Sequence, residues 1–156
     1  QALTLREEGP GEAELAVRVL LRTGRLNEAR RLLEEQAERE RREPILKPRA
    51  HRETLLLLSL ILAFQGEAET SYQCALEGTQ RGQLLHSPFV TPVGYMRQGH
   101  SWLIRDDPQS YSIACQCYKE AITISELLSG TSSGLAYILR ASTYCLTNSS
   151  VHNLLT

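Results

Sequence analysis

A pattern of side-chain sizes, repeated along the chain at intervals of 42 and 43 residues, limits what this sequence can fold into. Around Gly99 the order is Tyr95, Gly99, Trp102, then Ala114, Tyr118, Ala121. One interval earlier stand Leu55, Ser59, Leu62, then Ser71, Ala75, Gly78, with Gly66 between the two halves. Earlier still come Ala13, Val17, Leu20, then Ala29, Leu33, Gln36, with Gly24 between them. Steps of three and four put each trio on one face of a helix. Two helices approach to about 8–10 Å where a small side chain on one faces a large one on the other. Such a hairpin cannot bury both of its faces alone, so repeated hairpins stack.

The expected architecture is therefore all-α. Three antiparallel hairpins are predicted over 12–42, 52–82 and 93–128, followed by a terminal helix over 135–146 after a joint at Gly130–Gly134. Asn27 is placed as the cap of the second helix. Pro44 and Pro48 mark the first linker, and Gly82, Pro88 and Pro92 the second. Asp106-Asp107-Pro108 is read as a turn that caps the helix after it. Alternating apolar and polar runs and Asn-Gly turns, the signals of strands, are missing from the sequence.

With 156 residues the chain suits one domain. Net charge is −1, so no overall field favours nucleic acid or a membrane surface. Twenty-three of the Asp, Glu, Lys and Arg side chains lie within the first 53 residues, whereas Arg140 is the only one from Leu127 onward. The run ERERREPILKPR (38–49) interleaves Glu38, Glu40 and Glu43 with its arginines, which cancels most of its field and marks a solvated helix end. LLLLSLILAF (55–64) is too short to cross a bilayer and reads as a buried helix. Opening on Gln1, the chain is expected to be a piece of a longer protein.

No H-E-x-x-H, G-x-S-x-G, G-x-G-x-x-G or P-loop pattern occurs. Cys115 and Cys117, two apart on a helix, diverge by roughly 200° and cannot readily share a metal. With Cys74 and Cys145 they are expected to be reduced, small hydrophobes. No metal, no cofactor and no catalysis are expected, and the location expected is cytoplasmic.

The trio Tyr95, Gly99, Trp102 with Ala114, Tyr118, Ala121, supported by Leu26-Asn27-Glu28-Ala29 after Gly24, resembles the tetratricopeptide repeat family. Tyr137, Ala141 and Tyr144 look like the opening of a fourth repeat. The spacing departs from the family's usual 34 residues, and the extra length is assigned to the linkers and to a longer turn at Asp106-Asp107-Pro108. SPFVTPVGYMRQGHSW (87–102) and CYKEAITISELL (117–128) are similar to the sensor superhelix of bacterial LuxR-type and maltose-regulon transcription activators.

The resemblance implies a right-handed superhelix that receives a protein segment or a small effector and does not itself read DNA. Its first helices would line a groove. Residues one step off the packing stripe, Glu14, Arg18, Arg22, Leu56, Leu60, Met96, His100 and Leu103, are the candidates to face a ligand. His100 is given two further roles, donation to a ligand oxygen and response to pH near 6.5. The alternative is a structural scaffold that pairs with a second copy through its C-terminal end.

Overall fold

The computed structural model describes residues 10–42, 48–84 and 90–129, and side chains over 15–42, 54–84 and 90–127. Six helices account for them: α1 Pro10–Arg22, α2 Leu26–Arg42, α3 Pro48–Phe64, α4 Ala68–Leu84, α5 Val90–Leu103 and α6 Pro108–Ser129. No strand occurs among the described residues, and no described helix is long and apolar enough to cross a membrane. The predicted terminal helix (135–146), the joint before it and Cys145 lie outside the described residues.

Each hairpin turns on one residue in the left-handed region. Gly24 and Gly66 have φ of 74° and 78°, which glycine adopts without steric cost. At Gly24 the Arg25 amide donates back to the Leu20 carbonyl and the Gly24 amide to that of Leu21. At Gly66 the amides of Glu67 and Gly66 do the same toward Leu62 and Ala63. Both are Schellman closures, which satisfy the last carbonyls of the first helix. In the third hairpin Asp106 takes that place, with φ of 54°. Asp107 then caps α6 through both carboxylate oxygens, accepting from the Ser110 amide at 2.9 Å and the Ser110 hydroxyl at 2.5 Å.

Several sequence-based boundaries move. Pro48 and Pro108 open helices rather than ending linkers, because the first-turn amide that proline lacks has no intrahelical partner anyway. Pro92 is the third residue of α5 for the same reason. Gly82 lies buried inside α4, where a side chain would meet Val90 Cγ1 at 2.9 Å. Asn27 does not cap α2, which begins one residue before it; its side-chain carbonyl instead accepts from Gln65 at 2.8 Å. The extra repeat length resides in the helices, since α2, α3 and α4 each run 17 residues. Ala29 and Ser71 are the fourth residues of their helices and Ala114 is the seventh, so α6 gains most of a turn of helix before its small residue, while the turn at 104–107 is one residue longer than those at 23–25 and 65–67.

Every helix packs on the next, and the first helices also touch, α1 on α3 and α3 on α5. One core joins Val17, Leu20, Ala29, Leu33, Leu58, Ile61 and Leu62 across α1, α2 and α3. A second centres on Ala114, Tyr118 and Ala121 of α6. Tyr118 is 1% exposed and lies under Gly99, where an added methyl would stand 2.8 Å from Cδ1 and 3.0 Å from Cζ. Trp102, half-buried, packs edge-on to Tyr72 at 5.5 Å, and Arg105 covers its face at 4.1 Å.

Between the cores the seam is polar. Ser71 lies 3.2 Å from the Ser59 hydroxyl and 2.7 Å from the Ser101 hydroxyl, and donates to the Ser59 carbonyl at 2.8 Å. Ser101 in turn donates to the Arg97 carbonyl at 3.0 Å, and Gln98 donates to the Thr79 hydroxyl at 2.8 Å. All four side chains Ser59, Ser71, Ser101 and Gln98 are buried. A buried hydroxyl stripped of its partner costs about 1–3 kcal/mol. Ser71→Val, which deletes the central hydroxyl and adds bulk, is expected to lower stability by about 2 kcal/mol in urea denaturation, with an unchanged m-value.

Surface ion pairs lie along and between the hairpins. Arg30 pairs with Glu34 at 2.7 Å and with Glu67, Arg41 with Glu77 at 3.2 Å, and Arg105 with Glu69 at 2.5 Å. Arg42 and Arg41 also reach Glu38, so the charged end of α2 neutralises itself, as its alternating sequence suggests. Such exposed pairs set register more than they stabilise.

Candidate functional site

The first helices touch in sequence, α1 on α3 and α3 on α5, and the stripe each leaves free of its hairpin partner is the surface considered for a site. At 100° per residue, the α5 positions that meet α4 are Gly94, Gln98 and Ser101, and Gly99 meets α6. The stripe left between those two contacts holds Val93, Arg97 and His100. On α3 the buried residues Leu55, Leu58, Ser59, Ile61 and Leu62 leave Leu60 and Phe64 as the corresponding stripe.

The predicted groove residues divide. Arg18 and Arg22 are exposed on α1, and Leu60 and His100 are half-buried on their stripes. Leu56 is 4% exposed and packs on the bare backbone of Gly78, so it is a core residue and not a ligand contact. Met96 and Leu103 are drawn onto the α6 cluster rather than standing out from α5. Their displacement follows from Tyr118: its ring fills the gap beside Gly99, and both side chains close over its cluster. The side chain of Glu14 lies outside the described residues.

His100 sits edge-on to Tyr118, with ring centroids 5.7 Å apart. Its Nδ1 lies 3.4 Å from Arg97 Nη1. A guanidinium has no acceptor, so Nδ1 is the acceptor and the proton of the neutral ring is placed on Nε2. Burial, with the neighbouring Arg97 charge, pushes the imidazole down to about 4. The expected response near pH 6.5 is therefore corrected: His100 stays neutral through the physiological range. The folded pKa lies below the unfolded one, so the unfolded chain binds more protons between about pH 4 and 6.5, and stability falls as pH is lowered through that window. His100→Asn is expected to remove about 2 kcal/mol of that loss at pH 5, seen by comparing urea midpoints of the two proteins at pH 7 and pH 5.

Arg97 is the residue that the size pattern misses. Its Nε is wholly buried without a hydrogen-bond partner among the described residues. Burial lowers its pKa, and the Tyr118 hydroxyl is the group that opposes this. A signal was present in the sequence. Arg30, Arg31, Arg42 and Arg81 each have a glutamate four residues away, whereas no Asp or Glu occurs anywhere from Gly78 to Arg105.

Thiol chemistry gains no geometry. Cys74, half-buried, packs against the first core, and Cys74, Cys115 and Cys117 are all free thiols. Burial pushes the Cys74 and Cys117 thiols up, away from the reactive thiolate. No group of three His, Cys, Asp or Glu side chains converges among the described residues. Asp106 and Asp107 are occupied by the turn and the cap, Asp106 accepting from the Tyr111 hydroxyl.

A scan against protein-family models gave no match, and searches of curated proteins and of solved structures gave no significant match either.

Proposed function

We propose that the chain is a non-catalytic receiver domain, whose three hairpins form part of a tetratricopeptide-like right-handed superhelix. It would take a small effector or a protein segment on the α1–α3–α5 face. The single observation that carries this reading is a stripe of mixed chemistry, exposed on α1 and at Phe64 and half-buried elsewhere, on consecutive first helices. Arg18 and Arg22 stand on α1, Leu60 with the 64% exposed Phe64 on α3, and His100 with Arg97 on α5. A surface that offers cationic groups at one helix and apolar ones at the next suits a bound segment or effector better than bulk water. The similarity of 87–102 and 117–128 to bacterial activator sensors supports a place in a cytoplasmic transcription regulator, with ATPase and DNA-reading modules elsewhere in that protein.

The test is capture by the full-length protein in its own cells, with protein and small-molecule extracts both read by mass spectrometry. A Leu60→Asp/Phe64→Asp variant serves as the comparison. The expected result is a ligand or partner retained by the wild type and lost from the variant, with both folded by circular dichroism. Equal recovery by the two proteins overturns the assignment of this face.

A second reading, self-association, is favoured by Leu15 and Val19, exposed at 64% and 53% one turn apart on α1. Light scattering across concentration separates the two. A mass that doubles, and returns to monomer with Val19→Glu, favours a paired scaffold.

A further inference from the structure

Leu15 and Val19, exposed one turn apart on α1, belong to a stripe that is covered in both of the other first helices. Counted back from the left-handed residue of each turn, Val19 corresponds to Ile61 and Ser101, both wholly buried. Ala16 likewise corresponds to Leu58 and Gln98, and Leu15 to Leu57 and Arg97. Leu58 and Ile61 share a core with Ala29 and Leu33 of α2, and Leu57 packs against it. Thr54, on the same stripe, donates to Glu40 of α2 at 3.1 Å. On α5 the stripe meets α4, Ser101 at Ser71, and Gly94 and Gln98 at Thr79. In each case the covering element is the second helix of the hairpin before. On α1 the stripe stands open at Leu15 and Val19.

The two filled junctions agree on what a cover must carry. Each covering helix has small, buried side chains eight residues apart, Ala29 and Ala37 on α2, Ser71 and Thr79 on α4. Small residues let two helices close to about 8–10 Å around the larger side chains opposite. Each cover also has a polar second residue that meets the residue just before the left-handed one. Asn27 accepts from Gln65 at 2.8 Å, and Glu69 from Arg105 at 2.5 Å. Thr23, exposed and polar, holds that place before Gly24. Five residues join each cover to the helix it covers, 43–47 and 85–89. A 17-residue cover with such a linker before Pro10 lies almost wholly ahead of Gln1, so residues 1–9 are too few to supply it. A second copy fits less well. Its α6 has Ala114 and Ile122 at the steps of Ser71 and Thr79, large where both covers are small. Its α1 would set Leu15 and Val19 against side chains of their own size.

We propose that the Ala16–Val19 stripe, with Leu15, is the docking face for the second helix of a further hairpin, carried by the same polypeptide ahead of Gln1. That helix presents small side chains eight apart to α1 and a polar side chain at its second residue to Thr23. In stacked repeats each hairpin buries such a stripe on its neighbour, and an end that stays in water is polar. Docking here is independent of any ligand on the first helices, and it takes the face that self-association would need.

The test is maleimide labelling of a Val19→Cys variant, followed at residue 19 by peptide mass spectrometry. The full-length protein is compared with the 156-residue chain. Position 19 is expected to react at least roughly tenfold more slowly in the full-length protein, because labelling there waits for the cover to open. Deleting the hairpin ahead of Gln1 restores the fast rate, and deleting everything after Thr156 does not. Val19→Glu supplies a second readout. In the 156-residue chain it is expected to melt within roughly 1 °C of wild type. In the full-length protein, where its charge is buried, the expected loss is at least roughly 5 °C.

Equal labelling in the two proteins overturns the proposal, as does a reading frame with too few residues ahead of Gln1 for a 17-residue helix. Protection that appears in the 156-residue chain as its concentration rises assigns the face to a second copy and overturns it too. Protection lost with the region after Thr156, and kept without the region before Gln1, assigns the cover to another module, with the same result. A full-length Val19→Glu variant that melts with wild type also sinks it. If position 19 is protected while the Leu60→Asp/Phe64→Asp comparison shows no difference, the receiver reading falls and the stack stands.

Discussion

Tyr118→Ala is expected to lower stability by about 4 kcal/mol, the largest effect of any single truncation among the described residues. Tyr118 is the largest of its fully buried side chains, and its ring is the centre of the α5–α6 core. Removing it leaves Ala114 and Ala121 facing a void that Met96 and Leu103, anchored on α5, can only partly fill. In thermal melts the loss corresponds to roughly 10 °C. A double-mutant cycle with Gly99 makes the mechanism explicit. Gly99→Ala gains about 1 kcal/mol of helix propensity but drives a methyl into the Tyr118 ring, for a net cost of about 2 kcal/mol. In the Tyr118→Ala background the clash is gone and the same methyl fills space, so Gly99→Ala should become neutral or stabilising. A coupling below about 0.5 kcal/mol would mean that the two residues are not size partners.

Gly94→Ala is the second large effect, expected at about 3 kcal/mol. A Cβ at position 94 would stand 2.9 Å from Thr79 Cβ and 3.1 Å from Thr79 Cα. The Tyr118 ring can tilt, but a helix backbone cannot step aside locally, so α4 and α5 must separate. That separation also breaks the hydrogen bond from Gln98 to Thr79, leaving a buried amide short of a partner. Urea unfolding followed through Trp102, the chain's only tryptophan, measures both the loss and any change in the environment of α5. A cost below about 1 kcal/mol would show that the α4–α5 seam is looser than its spacing indicates.

These two positions also show how far the sequence could be read. Gly99 and Tyr118 were identifiable because size complementarity follows helical spacing, and spacing is written in one dimension. Ser59 and Ser71 were legible as small residues for the same reason. That they share hydrogen bonds with Ser101 was not, because a hydroxyl's partner depends on how neighbouring hairpins register in space. The prolines misled where their meaning depends on position: Pro48 and Pro108 break a helix if interior and start one if first. Leu56 was misassigned because one step off the stripe faces a groove only when the neighbouring helix stays clear, and Gly78 lets α4 come close. Arg97 is invisible to a pattern of side-chain sizes, because its burial depends on how α5 and α6 pack in space. A cation stranded far from any acid in sequence was the more telling sign.

The chain of hydroxyls from Ser59 through Ser71 to Ser101 has a mechanical consequence. Hydrogen bonds between short, buried side chains tolerate little sliding, whereas leucines against leucines can slip and repack. The junction across α3, α4 and α5 is therefore stiff, and the one across α1, α2 and α3, built from aliphatic side chains with ion pairs at its rim, is compliant. Bending is expected to concentrate at the N-terminal junction, between a stiff arm formed by α3 to α6 and a more compliant one formed by α1 and α2.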